Sequence, residues 1–179
     1  MDKITMKQIL AANGIPVVGY EWFTDQQWHS DRDAIIERVE KNLGYPVIVK
    51  PANLGSSVGI SAAHSRQELV DALNEAQRYS TRLIVEHMIK NLKEINCSVL
   101  GDADEYQTSV LEEPIKSGDF LSYEEKYLGG GSKGGVKGAG AKGSRRGMAS
   151  SQKKFPADLP DEMTKQIQHL AGETFRVLS

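Results

Sequence analysis

The first half of the chain alternates short apolar runs of strand length with apolar stripes of helical period. Helical spacing covers residues 3–13, 30–43 and 65–76. Strand-like runs cover residues 15–20, 47–49, 58–62 and 82–86. Ser65-Arg66-Gln67-Glu68 is typical of a capping box at the start of a helix. Helices that cover one face of a short, largely antiparallel sheet would satisfy this order.

The pattern changes after Glu86. Residues 94–100 alternate polar and apolar side chains, and residues 106–111 follow a turn, which predicts a hairpin. From Gly129 to Gly147, nine of nineteen residues are glycine, too many for a packed element. Pro160 then opens a final helix. The apolar face of this helix is formed by Met163, Ile167, Leu170, Ala171 and Phe175.

Composition is ordinary for a globular protein, but the charge is unevenly distributed. The 179 residues are 39% hydrophobic and 26% charged, which suffices for one domain or two small lobes. Between Lys126 and Ala157 there are eight basic residues and no acidic residue, so the remainder carries a net charge of −10. A basic, glycine-rich stretch in an acidic protein indicates an anionic ligand or a flexible arm.

Several classes of protein are disfavoured. No apolar run approaches the ~20 residues of a membrane span, and the N-terminus lacks the apolar core of a signal peptide. Cys97 has no partner for an internal disulfide, so we predict a cytoplasmic protein with Cys97 as a buried thiol in a strand. No metal site is predicted, because the histidines lack ligand spacing. They are His29, His64, His87 and His169.

Candidate chemistry concentrates in residues 44–59. The strand 47–49 carries Lys50 to its end, and Pro51 is expected to stop the strand ladder because it lacks an N–H. The turn that follows, residues 55–59, has glycines that let backbone amides approach a ligand closely. A lysine, amides and two hydroxyls favour phosphate binding, although the spacing is not that of a P-loop. The plainer alternative is a buried strand, a surface lysine and an ordinary turn.

Five motifs occur in the order and approximate spacing of one enzyme family: Met1-Asp2-Lys3, residues 46–51, residues 55–59, Val85-Glu86, and residues 123–127 with the sequence YEEKY. With them the chain resembles the D-alanine–D-alanine ligase family of ATP-grasp enzymes. The resemblance covers the whole chain but only the middle of the family's sequence. The N-terminal substrate domain would precede Met1, and the metal-binding strands with R-x-D and E-x-N motifs would follow Ser179.

The resemblance implies an α+β fold, an ATP-grasp fragment. A small, mainly antiparallel sheet lobe with two helices would be joined to part of the second ATP-binding lobe. We expect an entry helix and strand in residues 1–20, the small lobe in residues 21–87, and part of the large lobe in residues 88–179. The basic, glycine-rich residues 126–156 would be an elongated form of the family's mobile loop.

The implied activity is ligation of a carboxylate to an amine through an acyl phosphate, for peptidoglycan and cell-wall synthesis. ATP, Mg²⁺ and D-alanine are the implied cofactors and substrate, with the metal ligands expected outside this chain. The partners would be the missing N- and C-terminal parts of the same enzyme, with neither nucleic acid nor membrane. A homodimer is one possible form of the intact enzyme, and the sequence leaves the oligomeric state open. The isolated chain is expected to lack turnover and to bind nucleotide weakly. D-alanine, D-lactate and D-serine all remain open as the second substrate.

The resemblance also assigns roles to residues. Lys3 and Lys50 would neutralise the ATP phosphates, while Ser56 and Ser57 would close over the γ-phosphate, with Ser56 also activating substrate. Glu86 would accept a hydrogen bond from the adenine amino group and Glu94 would hold the ribose. His87-Met88-Ile89 would be the hinge beside the base, and Lys126 and Tyr127 would shield the acyl phosphate from water. Each residue has a plainer alternative as a solvated charge or a turn former.

Two other functions stay open. One is another ATP-grasp ligase with a different substrate. The other is a non-enzymatic nucleotide- or RNA-binding module that uses the basic segment. RNA modules normally add stacking aromatic residues, and there is none between Leu128 and Lys154. Residues 138–143 match G-x-G-x-x-G but neither follow a strand nor open a helix, so they do not indicate dinucleotide binding.

Overall fold

The N-terminal half of the protein is built on a four-stranded sheet. The computed structural model describes residues 2–55, 57–114 and 153–179. The strand order is β1-β4-β2-β3, and each neighbouring pair is antiparallel. The predicted α+β class with a mainly antiparallel sheet is therefore confirmed. The strands are β1 (Tyr20–Thr24), β2 (Val47–Pro51), β3 (Ser61–Ala63) and β4 (Arg82–His87).

Helices cover both faces of this sheet, unequally, so the prediction that they cover one face is wrong. On one face lie α2 (Asp25–Ser30), α3 (Arg32–Asn42) and α4 (Arg66–Ala76), and they enclose the larger apolar core with alternate residues of the strands. On the other face lies α1 (Lys3–Ala12), where Ile4 forms a smaller cluster with Ala52 and Ile84. Burial of each large apolar side chain contributes roughly 1.5–3 kcal/mol. The larger core includes Phe23, Trp28, Val39, Val47, Val49, Leu69, Leu73, Leu83 and Val85.

Side-chain oxygens define the start of most of these helices. The carboxylate of Asp2 accepts hydrogen bonds from the amides of Ile4 (2.9 Å) and Thr5 (3.0 Å) at the start of α1. Ser65 accepts from the Glu68 amide at 3.3 Å, as the capping pattern predicts. The Thr24 cap of α2 was not predicted. The helix predicted over residues 30–43 forms as α3, but its start was misplaced, because Ser30 ends α2 and α3 begins at Arg32.

The strand predictions need three corrections. Residues 15–19 form no strand, since the chain leaves α1 with the Ile15 amide bonded back to Leu10, and β1 begins only at Tyr20. The pairing with β4 continues past Pro51, because the Ala52 amide donates to Arg82 at 2.9 Å. Pro51 is tolerated because β3 pairs only with residues 47–49, so no strand on that side needs an N–H from Pro51. Finally, β3 is confined to Ser61–Ala63.

The predicted hairpin of the second half forms over a shorter range. It pairs β5 (Val99–Gly101) with β6 (Tyr106–Thr108), and an isolated bridge joins Asn96 to Glu112. Cys97 lies between the bridge and β5 and is only half-buried, so the prediction of a buried thiol in a strand is wrong.

The final helix, α5 (Asp161–Leu178), packs on this hairpin. At Gly172 the helix backbone lies so near the hairpin that a Cβ atom would be 2.3 Å from the ring of Tyr106. Between α5, the hairpin and the C-terminal end of α1 lies an open apolar depression of about 800 Å³. No helix among the described residues is long and apolar enough to cross a membrane.

A two-residue ladder that was not predicted pairs the two described segments that flank residues 115–152 in the sequence. It pairs β7 (Glu113–Pro114) with β8 (Lys153–Lys154), so the chain leaves and re-enters the described part at paired positions. Ion pairs join Lys153 to Glu112 at 3.0 Å and Lys154 to Asp158 at 3.0 Å. The predicted loop residues Lys126 and Tyr127 lie outside the described residues.

Candidate functional site

The candidate site lies on the face of the sheet that α1 partly covers. Side chains alternate along a strand, so positions that flank the core residues of β2 and β4 project to this face. Ile48 pairs with Glu86 and Lys50 pairs with Ile84, which makes Lys50 and Glu86 diagonal neighbours. The Lys50 ammonium forms an ion pair with Glu86 Oε2. The structure therefore brings together two residues that are far apart in the sequence and that the resemblance assigns to ATP binding.

Helix α1 adds a second cation to Glu86. Lys7 Nζ lies 3.2 Å from Glu86 Oε1 and donates to the Val18 carbonyl at 3.2 Å. The same ammonium lies 5.2 Å from the centre of the Tyr20 ring. Sequence reasoning missed Lys7. The available signal was its spacing of four residues from Lys3, which places both lysines on one side of a helix.

Lys3 holds the start of the turn rather than projecting into solvent. Its ammonium donates to the carbonyls of Pro51 (3.0 Å) and Ala52 (3.4 Å), and also to the Leu54 carbonyl. The partial burial of the ammonium and the neighbouring Lys50 cation lower the pKa of Lys3. Lys3 is thus close to Lys50, as predicted, and in this conformation it also fixes the backbone that leads from β2 into the turn.

The electrostatics of the cluster favour an anion. Burial of Glu86 would raise the pKa of its carboxyl group, but the Lys50 and Lys7 ammonium groups outweigh burial and the pKa is lowered. Glu86 is therefore ionised at neutral pH. The ammonium groups of Lys7 and Lys50 both contact this one carboxylate, and the Lys3 ammonium lies nearby, which leaves an excess of positive charge. In a partly buried setting such an excess attracts anions strongly, because screening by water is weak.

The glycine-rich turn begins beside this cluster. The Val58 amide donates to Gly55 at 3.3 Å and the Ile60 amide donates to Ser57 at 3.3 Å, which folds the segment back on itself. Ser57 and Gly59 both have positive φ, of 63° and 67°. A Cβ atom on Gly59 would lie 2.8 Å from both Pro51 Cγ and Tyr79 Cδ2. The turn is therefore packed onto the end of β2. Ser56 lies outside the described residues.

Gly59→Ala should distort the turn and lower the free energy of unfolding by about 1–3 kcal/mol, because the methyl group meets two rings and the backbone is left-handed. Urea denaturation would measure the change. Gly55→Ala is the matched control, since a Cβ atom at Gly55 meets nothing within 4 Å. Equal stability losses in the two variants would contradict the described packing of the turn.

The predicted hinge follows Glu86 directly. The His87 amide donates to Gly19 at 3.0 Å and the Met88 amide donates to Pro46 at 3.1 Å, so the end of β4 is tied to the segments before β1 and β2. Ile89 is exposed. Glu94 lies on the exposed stretch between β4 and β5. The backbone of residues 87–88 is therefore anchored beside the lysine cluster, whereas residues 89–94 form a surface connection.

The described residues offer no site for Mg²⁺. Within residues 2–55, 57–114 and 153–179, no group of three His, Cys, Asp or Glu side chains is placed to hold a metal ion. Glu86 itself is already paired with two ammonium groups, which opposes binding of a divalent cation. The described residues therefore do not fit this metal.

Comparison with known proteins identifies the family. The fold class is that of an ATP-grasp fragment. Its lysine cluster lies on the face of the sheet that α1 partly covers, and the glycine-rich turn begins beside this cluster. The family model described as "D-ala D-ala ligase C-terminus" matches residues 9–179. The chain belongs to the D-alanine–D-alanine ligase family.

Individual relatives agree with this assignment. The D-alanine–D-alanine ligase of Natranaerobius thermophilus is 39% identical over 178 residues, which are 99% of this chain and 43% of the relative. The D-alanine–D-alanine ligase of Acetivibrio thermocellus is 37% identical over 178 residues, which are 99% of this chain and 42% of the relative. The chain therefore spans about two fifths of the length of these relatives.

A solved structure shows the same arrangement. The crystal structure of the VanG D-Ala:D-Ser ligase from Enterococcus faecalis superposes with a TM-score of 0.75 at 31% identity. The superposition covers 99% of this chain and 45% of that chain. Matches with named ligases over nearly the whole chain favour the ligase interpretation over the RNA-binding alternative.

Proposed function

We propose that this chain supplies the nucleotide-binding part of an ATP-dependent D-alanine–D-alanine-type ligase that makes a peptidoglycan precursor in the cytoplasm. The observation that carries the proposal is the pairing of Lys7 and Lys50 with Glu86, with Lys3 beside them at the start of a glycine-rich turn. Membership of the ligase family supports the choice of reaction. The intact enzyme would need further polypeptide to complete the site and to hold Mg²⁺.

The geometry suggests a division of labour in ATP binding. Lys50 stands at the end of β2, where it can exchange Glu86 for a phosphate oxygen. The turn 55–59 would contribute backbone amides and side-chain hydroxyls to phosphate binding. Lys3 holds the backbone that leads into this turn. The ionised Glu86 would accept a hydrogen bond from the adenine amino group. His87, Met88 and Ile89 would flank the base, and Glu94 would contact the ribose.

The reaction would then proceed in two steps. A carboxylate oxygen of the first D-amino acid attacks the γ-phosphorus, the bond to the bridging oxygen breaks, and ADP leaves. The amine of the second substrate attacks the resulting acyl phosphate, a proton is lost from the nitrogen, and phosphate leaves. Phosphoryl transfer depends on positive charge and amides around the migrating oxygens, which is what this cluster offers. Ser56, Ser57, Lys126 and Tyr127 would complete the enclosure.

A chimaera provides the test of this function. Residues 1–179 would replace the matched segment of the Natranaerobius thermophilus ligase, and ADP release would be followed with Mg-ATP, with and without D-alanine. We expect D-alanine-dependent release, and a loss of about 100-fold or more with Lys50→Met, because a cation that faces the transferred phosphate is removed. Lys41→Met, at an exposed position on α3, is the matched control and should retain activity.

Two results would contradict the proposal. One is a folded chimaera whose ADP release does not respond to D-alanine. The other is full activity in the Lys50→Met variant. The second substrate is resolved in the same assay by comparing D-alanine, D-serine and D-lactate as acceptors, because the related VanG enzyme is a D-Ala:D-Ser ligase.

A further inference from the structure

Lys7 is the most enclosed cation of the site. The residue is 7% exposed, although lysine is almost never buried unless its charge is paired. Its ammonium is held by Glu86 Oε1 and by the Val18 carbonyl, and the Tyr20 ring lies against it. These contacts come from two parts of the fold, β4 and the segment that enters β1. The Lys7 ammonium therefore cannot turn to solvent without losing these contacts.

Lys50 is more exposed than Lys7 and has fewer contacts among the described residues. Its side chain is 21% exposed, against 9% for Lys7, and its partner among the described residues is the second oxygen of Glu86. Glu86 thus uses one oxygen for each lysine. If Lys50 turned to an anionic ligand, Glu86 would keep one cation. Without Lys7, the same movement would leave a buried carboxylate uncompensated, which is strongly unfavourable.

We infer that Lys7 is a positioning residue, the permanent counter-ion of Glu86, and that it frees Lys50 to bind the phosphates of a nucleotide. This inference rests on the proposed function for the identity of the ligand. It assigns Lys7 no contact with that ligand. The charged groups that face Glu86 are Lys7 from α1 and Lys50 from β2, with the Lys3 ammonium close by.

The first experiment measures the carboxyl group itself. In the ¹³C-labelled chain, the Glu86 carboxyl resonance is assigned by its loss in Glu86→Gln and followed by NMR as the pH is lowered. In the wild-type chain the pKa should lie below the ordinary glutamate value. In Lys7→Met it should rise, because one of two cations is lost while burial remains, and Lys7→Arg should restore the low value. An unchanged pKa in Lys7→Met would overturn the inference.

The second experiment measures the release of Lys50. ATP and adenosine are titrated separately into the same three chains, and binding is followed by amide chemical shifts, which detect weak affinity. For Lys7→Met we expect the affinity for ATP to fall about tenfold, because Lys50 would stay with Glu86 and its charged hydrogen bond to a phosphate would be lost. The affinity for adenosine, which has no phosphate, should fall much less. Lys7→Arg should recover most of the ATP affinity. Equal losses for both ligands would indicate general damage to the site and overturn the inference.

The two experiments separate failure of the inference from failure of the proposed function. If the wild-type chain binds neither ATP nor adenosine at millimolar concentration, two proposals are refuted: nucleotide binding by this chain and the release of Lys50. The pKa comparison still decides whether Lys7 is the counter-ion of Glu86. If ATP binds normally and Lys7→Met binds it equally well, the proposed function stands and the role of Lys7 is refuted.

Discussion

Glu86→Leu should lower the free energy of unfolding by about 3–5 kcal/mol at neutral pH, because it leaves the buried Lys7 ammonium without a counter-ion. Lys50 is more exposed and can turn to solvent, so Lys7 is the source of the effect. Urea denaturation would measure the loss. Glu37→Leu, at an exposed position on α3, is the matched control and should stay within about 0.5 kcal/mol of the wild type.

A double variant sharpens this prediction. Removal of both buried charges is much less destabilising than removal of one. Lys7→Met should therefore recover part of the stability when it is introduced into Glu86→Leu. If the double variant instead loses the sum of the two single losses, the two charges do not interact as the structure describes.

The pH dependence of the Glu86 contribution follows from the direction of its pKa shift. The pKa is lowered in the folded protein, so the ionised carboxylate stabilises the fold above the ordinary glutamate pKa of about 4.3. That stabilisation is lost as the pH falls through the lower, folded-state pKa. The stability difference between wild type and Glu86→Leu should therefore shrink in acid. A difference that stays constant down to about pH 3 would contradict the ion pairs.

Trp28→Ala should lower the free energy of unfolding by about 3–5 kcal/mol. The Trp28 side chain is fully buried in the larger core, its ring centre lies 6.3 Å from that of Phe23, and its indole N–H donates to Asn74 Oδ1 at 3.2 Å. The substitution leaves a cavity between α2 and α4 and an unpaired amide oxygen. Since small domains have only about 5–15 kcal/mol of stability, the loss is a large part of the total.

Fluorescence provides an independent check of the same variant. The chain has two tryptophans, Trp22 and Trp28. Trp22 is 37% exposed, so the folded Trp28→Ala variant should emit at longer wavelength than the wild type. Trp28→Phe is the conservative control and should lose about 1–3 kcal/mol, because most of the volume is kept. If Trp28→Ala and Trp28→Phe lose the same stability, cavity formation is not the cause.

The parts of the fold that sequence predicts are those where one face of an element is fully buried. Val47 and Val49 on β2 and the stripes of α3 and α4 are examples, because a slip of one residue would expose the whole apolar set. β1 was misplaced for the opposite reason. Only Phe23 among its residues is buried, whereas residues 15–20 contain more apolar side chains but exit a helix past a proline.

The candidate site was predicted incompletely for a different physical reason. Lys50, Glu86 and Lys3 carry recognisable local motifs, and the structure places them together. Lys7 has no motif of its own, and its burial depends on Val18 and Tyr20, whose contacts with it form only in the folded chain. Long-range charge pairing is invisible to periodicity. Helix α2 was missed although Thr24 and Gln27 form a capping box, a signal that was present in the sequence.

The two-residue pairing of Pro114 with Lys153 has a practical consequence for protein engineering. These residues are partners in the short ladder of β7 and β8, so the described framework holds the two flanking ends side by side. Segments whose ends are adjacent accept grafted sequences well. This junction is therefore suited to exchanging the segment that carries Lys126 and Tyr127 among homologous ligases, with the described sheet and its lysine cluster kept in place.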